Sequence, residues 1–175
     1  MASRDDELTA LALRASEGDE EAFEVLVART RPALTRAAVG LVGAAGEDAV
    51  QETYIRAYVA LLEGRFRAGR GVQPWLRRIV TRVAIDLLRA ESRRRRREAL
   101  VARLPWVRAE LPRTGEVRTA LERLPAGQRA AVVLKDVVGW TAKEISLALD
   151  CSEGAVEQRL VRGRAALRKE LGDDE

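Results

Sequence analysis

Between Thr141 and Leu167 the chain reads as two helices, each with its own start signal, joined by a short turn; no other stretch restricts the fold as much. Thr141 and Glu144 have the spacing of a capping box, in which hydroxyl and carboxylate each satisfy a backbone N–H left free at a helix start. The helix they open carries Ile145, Ala148 and Leu149 on one face, Asp150-Cys151 supply the turn, and Ser152 is a good N-cap for the second helix. Along that helix Val156, Leu160, Gly163 and Leu167 form one stripe at the helical repeat of about 3.6 residues. The opposite stripe carries Gly154, Gln158, Val161, Arg162 and Ala165, flanked by Glu157, Arg159, Arg164 and Arg168. A helix with an apolar back and a basic, amide-bearing front is built to pack on a partner and enter the major groove of DNA. The plainer alternative is a solvated helical hairpin.

The rest of the 175 residues carries helical periodicity as well, over about 5–16, 19–41, 46–63 and 74–98, and strand-like alternation is missing. Gly18-Asp19, Gly43 to Gly46, and Gly69 to Pro74 interrupt these segments. After Ser92 come Arg93 to Arg97 and then an indistinct stretch with Pro105 and Pro112, before helical signal resumes at Glu116. The fold class predicted is therefore all-α: two small helical domains joined by a flexible linker, the C-terminal one a helix-turn-helix. The boundaries fall at 1–95 for the first domain, 96–115 for the linker and 116–175 for the second domain.

Composition narrows the function classes. A net charge of +4 and a pI near 9.8 lean toward a polyanionic partner, although arginine-rich usage also suits a GC-rich genome. One cysteine and no histidine exclude a disulfide framework and any His/Cys zinc site made by this chain alone. Cys151 reads as a small packing residue in the turn. No signal-peptide core and no bilayer-length apolar run is visible, so a cytoplasmic protein without membrane insertion is expected.

The first lobe holds two charged constellations. In the helix beginning near Glu47, Val50, Tyr54, Ala57 and Leu61 make the buried stripe, and Asp48, Gln51 and Glu52 cluster beside it, since positions three and four apart are helix neighbours. In the helix from Trp75 the expected buried stripe is Leu76, Ile79, Val80, Val83 and Leu87. Its opposite face carries Arg78, Arg82, Ile85 and Arg89 with Thr81 beside them, a row suited to a phosphate backbone with an exposed Ile85 for base contacts. A solvated helix face is the alternative. Trp75 is either core or a stacking platform, and the preceding loop, with Arg65, Arg67 and Arg70, is basic.

These segments resemble the bacterial extracytoplasmic-function (ECF) sigma factors of the sigma-70 family. Glu47-Asp48-Ala49-Val50-Gln51-Glu52-Thr53-Tyr54-Ile55-Arg56-Ala57-Tyr58 is similar to that family's D-x-V-Q-E-T-F-x-R-A-[WY] signature. Trp75-Leu76-Arg77-Arg78-Ile79 through Ala84-Ile85-Asp86-Leu87-Leu88-Arg89 resembles its W-L-x-x-I-x-x-N-x-x-I-D-x-x-R helix. Leu121 to Pro125, Glu144-Ile145, and Ser152 to Val156 with Arg164 to Arg168 resemble its C-terminal helix-turn-helix. The resemblance implies a protein that binds core RNA polymerase through the β′ and β subunits and directs it to promoter DNA, with no cofactor and with an anti-sigma factor as a possible further partner.

By the same resemblance, Asp48, Gln51 and Glu52 match the surface that docks on the β′ clamp helices. Arg65, Arg67, Arg70, Trp75, Arg78, Arg82, Ile85 and Arg89 match the element that reads and melts the −10 sequence. Ser152, Glu157, Gln158, Arg159, Val161 and Arg162 match the −35 reader. Two departures stand out: Arg82 occupies the place of the motif's Asn, and Asp150 stands where many relatives carry Gly. Three rival readings remain at this point. One is an ordinary regulator with a C-terminal helix-turn-helix, another a module that sequesters polymerase or another sigma factor. The third, an enzyme with magnesium at Asp48, Glu52 and Asp86, is disfavoured by the missing histidine and phosphate-cradling loop.

Overall fold

The computed structural model describes residues 4–101 and 115–172. Most of the linker, 102–114, lies outside the described residues, as do the side chains of Arg70 and of Arg95 to Arg97 in the arginine run. Among the described residues eight α-helices follow in order: α1 Arg4–Ser16, α2 Glu20–Val42, α3 Gly46–Leu62, α4 Val72–Val101, α5 Glu116–Arg123, α6 Ala126–Val132, α7 Ala142–Leu149 and α8 Glu153–Leu171. Short 3₁₀ turns precede α3 and α4, and α6 widens at its end into a π turn, Val133–Val137. Among the described residues there is no strand and no helix long and apolar enough to cross a membrane.

In the first lobe α1 to α4 enclose a core of Leu8, Leu26, Leu34, Val50, Leu61, Val72, Leu76 and Val80. Asp19 starts α2 by accepting the Ala22 N–H at 2.9 Å, while the Arg14 guanidinium pairs with it at 2.6 Å. That backbone hydrogen bond, followed by the Arg14 contact, holds the Asp19 carboxyl below the usual carboxylate range. The α2–α3 corner depends on Gly46, where a Cβ would lie 2.6 Å from Val39 Cγ2 and 2.7 Å from the Val39 backbone. Here glycine permits close approach of two helices rather than an unusual φ.

The second lobe forms around Ala130, Val133, Leu134, Trp140, Ile145, Ala148, Val156 and Leu160. Its two start signals act as the sequence predicts. The Thr141 hydroxyl accepts the Glu144 N–H while the Glu144 carboxylate accepts the Thr141 N–H, and Ser152 Oγ accepts the Ala155 N–H at 3.2 Å. Asp150 ends α7 in the left-handed region at φ 54°, a conformation that Asp tolerates better than most residues. Val156, Leu160 and Gly163 face inward as expected; a Cβ at Gly163 would sit 2.8 Å from Val132 Cγ2. Cys151 packs partly buried against this core.

The lobes are docked on each other. Ala37, Leu41 and Ala84 of the first lobe belong to the second lobe's apolar cluster, so α4 is covered on two sides. Three expectations for α4 are corrected by this docking. Thr81 is fully buried, whereas it was expected beside the exposed arginines, and its hydroxyl has no hydrogen-bond partner. Ile85, expected to be free for base contacts, is half-buried against the second cluster. Leu87, expected in the core, is 38% exposed, and its neighbour Leu88 is buried instead. The physical reason is a second stripe at positions 77, 81, 84 and 88, again at helical spacing, on which the second lobe packs through Arg77 and Ala84.

Candidate functional site

Three surfaces collect the residues singled out by sequence. On the first, α2 and α3 form an open cleft of about 560 Å³ lined by Phe23, Tyr54, Ile55 and Tyr58 and rimmed by acidic side chains including Asp48. Phe23 packs against Tyr58 at 4.7 Å between ring centroids and edge-on to Tyr54 at 6.3 Å. Asp48 and Gln51 line this cleft. Glu52 does not; it faces along α3 and pairs with Arg56 at 2.6 Å. The cluster is therefore split, with an apolar, aromatic floor beneath two of its three members. That floor follows from the apolar positions of two separate helices, so no single motif displays it. Burial pushes the Tyr54 phenol above its ordinary pKa, against the lowering effect of the Thr30 hydroxyl 2.8 Å away.

The second surface is α4 and the loop before it. Arg65 and Arg67 are exposed, Arg65 pairing with Glu63. Trp75 is half-buried in the first core, its ring 4.9 Å from that of Phe66, as the packing alternative required. Arg78 and Arg82 share one partner: Asp150 Oδ2 lies 2.9 Å from Arg78 and 3.1 Å from Arg82. Arg89 is exposed near Asp86. The sequence reading missed Arg77, which lies over the Trp140 ring at 4.9 Å and pairs with Glu144, so that the capping box of α7 also anchors α4. Burial at this boundary pushes the Glu144 carboxyl up. The Thr141 backbone N–H and the Arg77 guanidinium outweigh it and hold the carboxyl below its ordinary range.

The third surface is the outward face of α8. Glu157, Gln158, Val161 and Arg162 are exposed, Val161 at 67%. Gln158 Oε1 accepts from Arg162 Nη2 at 3.4 Å, so amide and guanidinium stand together one helical turn apart. Ser152 is exposed but its hydroxyl is engaged as the cap. Arg159 turns away from this face: it is half-buried, with Nη1 3.4 Å from Cys151 Sγ. Arg164, on the flank, is held by Asp136 at 2.6 and 3.0 Å, and that hydrogen bond raises its pKa. Among the described residues no three His, Cys, Asp or Glu side chains gather to hold a metal ion.

The chain matches two family models in order, sigma-70 region 2 over residues 26–94 and sigma-70 region 4 over 114–167. It is 35% identical to the ECF RNA polymerase sigma factor SigM of Mycobacterium tuberculosis over 163 residues, 89% of this chain and 80% of that protein. It is 34% identical to the RNA polymerase sigma factor CarQ of Myxococcus xanthus, over 91% of this chain and 95% of that one. Among solved structures, CnrH in complex with the cytosolic domain of CnrY is similar with a TM-score of 0.68 and 32% identity, covering 97% of this chain and 100% of that one. The fold is also that of RpoE bound to the anti-sigma factor NepR from Bartonella quintana, with a TM-score of 0.58 at 24% identity over 87% and 98% of the two chains.

Proposed function

The chain belongs to the extracytoplasmic-function sigma factors, which bind core RNA polymerase and direct promoter-specific initiation, and from that premise we propose how its three surfaces divide the work. The aromatic cleft with Asp48 and Gln51, together with Glu52 on its flank, docks on the β′ clamp helices. An apolar floor supplies the buried area of a protein interface, and the acidic rim selects a basic partner and sets its register. The basic loop with Arg65, Arg67 and Arg70 and the α4 residues Trp75, Arg78, Arg82 and Arg89 engage the −10 region. Arginines along one helical face follow phosphates without reading bases, which suits a strand being opened.

The outward face of α8 is the single observation that carries the DNA-reading half. Gln158 and Arg162 are both exposed and adjacent, on a helix whose back is locked into the lobe core. A side-chain amide pairs best with adenine and a guanidinium with guanine in the major groove. Ser152 and Glu157 border this face, and Arg159 reaches DNA only if it leaves Cys151. The domain limits 1–95, 96–115 and 116–175 belong to this reading. So do a cytoplasmic location, the lack of catalysis of its own, and control by an anti-sigma factor. The last draws on CnrH and RpoE, whose structures hold such complexes or a cytosolic partner domain.

The test is run-off transcription with purified core polymerase and a library of promoter fragments. Selective transcripts from a subset sharing −35 and −10 sequences are expected. Binding to core enzyme without selective transcripts points to the sequestering module instead, and promoter binding without polymerase to an ordinary regulator.

A further inference from the structure

The two positions at which this chain departs from the motifs it resembles, Arg82 and Asp150, meet across the lobe boundary, Arg82 Nη2 lying 3.1 Å from Asp150 Oδ2. The same carboxylate oxygen is 2.9 Å from Arg78. Asp150 holds a positive φ that glycine adopts without strain, so the turn itself does not call for a carboxylate. What the carboxylate adds is an anion between two arginines of α4. The side chain of Asp150 is 62% exposed and that of Arg82 54% exposed, so a competing anion in solvent reaches both. Arg78 Nε, beside them, is buried with no hydrogen-bond partner, a donor that a single carboxylate leaves unused.

We infer that Asp150 is an internal stand-in for a promoter phosphate. In the free chain its carboxylate fills the anion site of Arg78 and Arg82, and a phosphodiester of single-stranded promoter DNA displaces it there. This rests on the reading of α4 as the −10 surface. The device is local: the carboxylate engages Arg78 and Arg82, while Arg89 of α4 and the outward face of α8, with Gln158, Val161 and Arg162, stay exposed. Two arginines of one DNA surface are therefore occupied, and the other surface is exposed. It is also reversible: solvent-exposed ion pairs are weak and screened by salt, so a polyanion that supplies several phosphates at once outcompetes one carboxylate.

Two measurements on the full-length chain test this, the first without DNA. Thermal midpoints are compared for the wild type, Arg82→Ala, Asp150→Ala and the double variant; the shifts of the single variants are expected not to add, because each removes the same pair. Additive shifts overturn the contact itself. The second is binding of a fluorescent single-stranded oligodeoxynucleotide to the free chain at low salt. Asp150→Asn should bind roughly two- to fivefold more tightly, the range that exposed ion pairs are worth. Glu17→Gln, which makes the same charge change at an exposed position outside α4 and the second lobe, should give no such gain. The gain should vanish when Arg78→Ala and Arg82→Ala are added. An equal gain from Glu17→Gln, or one that survives loss of both arginines, overturns the proposal. Non-additive midpoints with no gain in binding keep the contact but overturn competition with phosphate; the −10 reading fails separately, if Arg78→Ala with Arg82→Ala leaves oligonucleotide binding by the otherwise wild-type chain unchanged.

Discussion

The guanidinium of Arg77 lies over the ring of Trp140, 4.9 Å from its centroid, and joins α4 of the first lobe to the start of the helix-turn-helix. Trp140 is 7% exposed, so Trp140→Ala should cost about 3–5 kcal/mol in chemical denaturation. Arg77→Ala should cost about 1–2 kcal/mol, because it removes both the cation–π contact and the pair with Glu144. The double variant should fall short of the sum of the single costs by about 0.5–1 kcal/mol, the one contact that both changes remove. Full additivity would show that the two residues stabilise the chain independently.

Glu144 makes the lobe boundary sensitive to acid. Its folded-state pKa is depressed, so its contribution to stability is complete above the ordinary glutamate pKa of about 4.3 and is lost as pH falls through the lower folded value. Wild type should therefore exceed Glu144→Gln in stability at neutral pH, and the gap should close on acidification below that range. Denaturation curves for both proteins across the acid range check the sign; a gap that widens on acidification contradicts it.

At Gly46 two effects oppose each other. Alanine would raise helix propensity by at most about 1 kcal/mol, the helix-interior value, and by less at the first position of α3. Its Cβ, however, would press on the Val39 backbone at 2.7 Å, and overpacking against stiff atoms costs about 1–3 kcal/mol. Gly46→Ala should thus be destabilising in thermal melts. A more stable variant would mean that the α2–α3 corner has room to relax.

Polymerase docking should respond to Asp48→Arg with a loss of affinity for core enzyme and a stability change within about 0.5 kcal/mol, as for other exposed sites. Glu52→Lys carries an extra local effect, because it replaces the pair with Arg56 by like charges one turn apart, at a cost of about 0.2–0.5 kcal/mol. Titration of labelled core polymerase with each variant separates the two. Undiminished affinity in the double variant removes these residues from the interface.

Base choice at the upstream element should depend on Arg162. Arg162→Ala in holoenzyme should cost about 1–3 kcal/mol at one base position and relax preference there. Arg168, exposed farther along α8, should affect all sequences alike if it touches DNA. A promoter-library selection distinguishes them; equal weakening of every −35 sequence by Arg162→Ala assigns that residue to the backbone instead.

Local order in this protein was legible in the chain alone. The caps at Thr141 and Ser152, the inward stripe Val156, Leu160 and Gly163, and the exposed run Gln158, Val161 and Arg162 all follow from hydrogen bonding and periodicity within one helix. Each depends on residues a few positions apart, so a linear reading reaches it. The aromatic floor beneath Asp48 was not legible, since Phe23 and Tyr58 come from different helices. Nor were the burial of Thr81, the covering of Ile85, or the partners of Arg77, Arg78 and Arg82. Helix α4 displays one strong apolar stripe, and its second stripe contains an arginine, a threonine, an alanine and a leucine, which by themselves suit water as well as a partner. Tertiary structure decided that this face is covered, because Ala37, Leu41 and Ala84 join the apolar core of the second lobe, and the charged side chains at its edge then pair across the boundary.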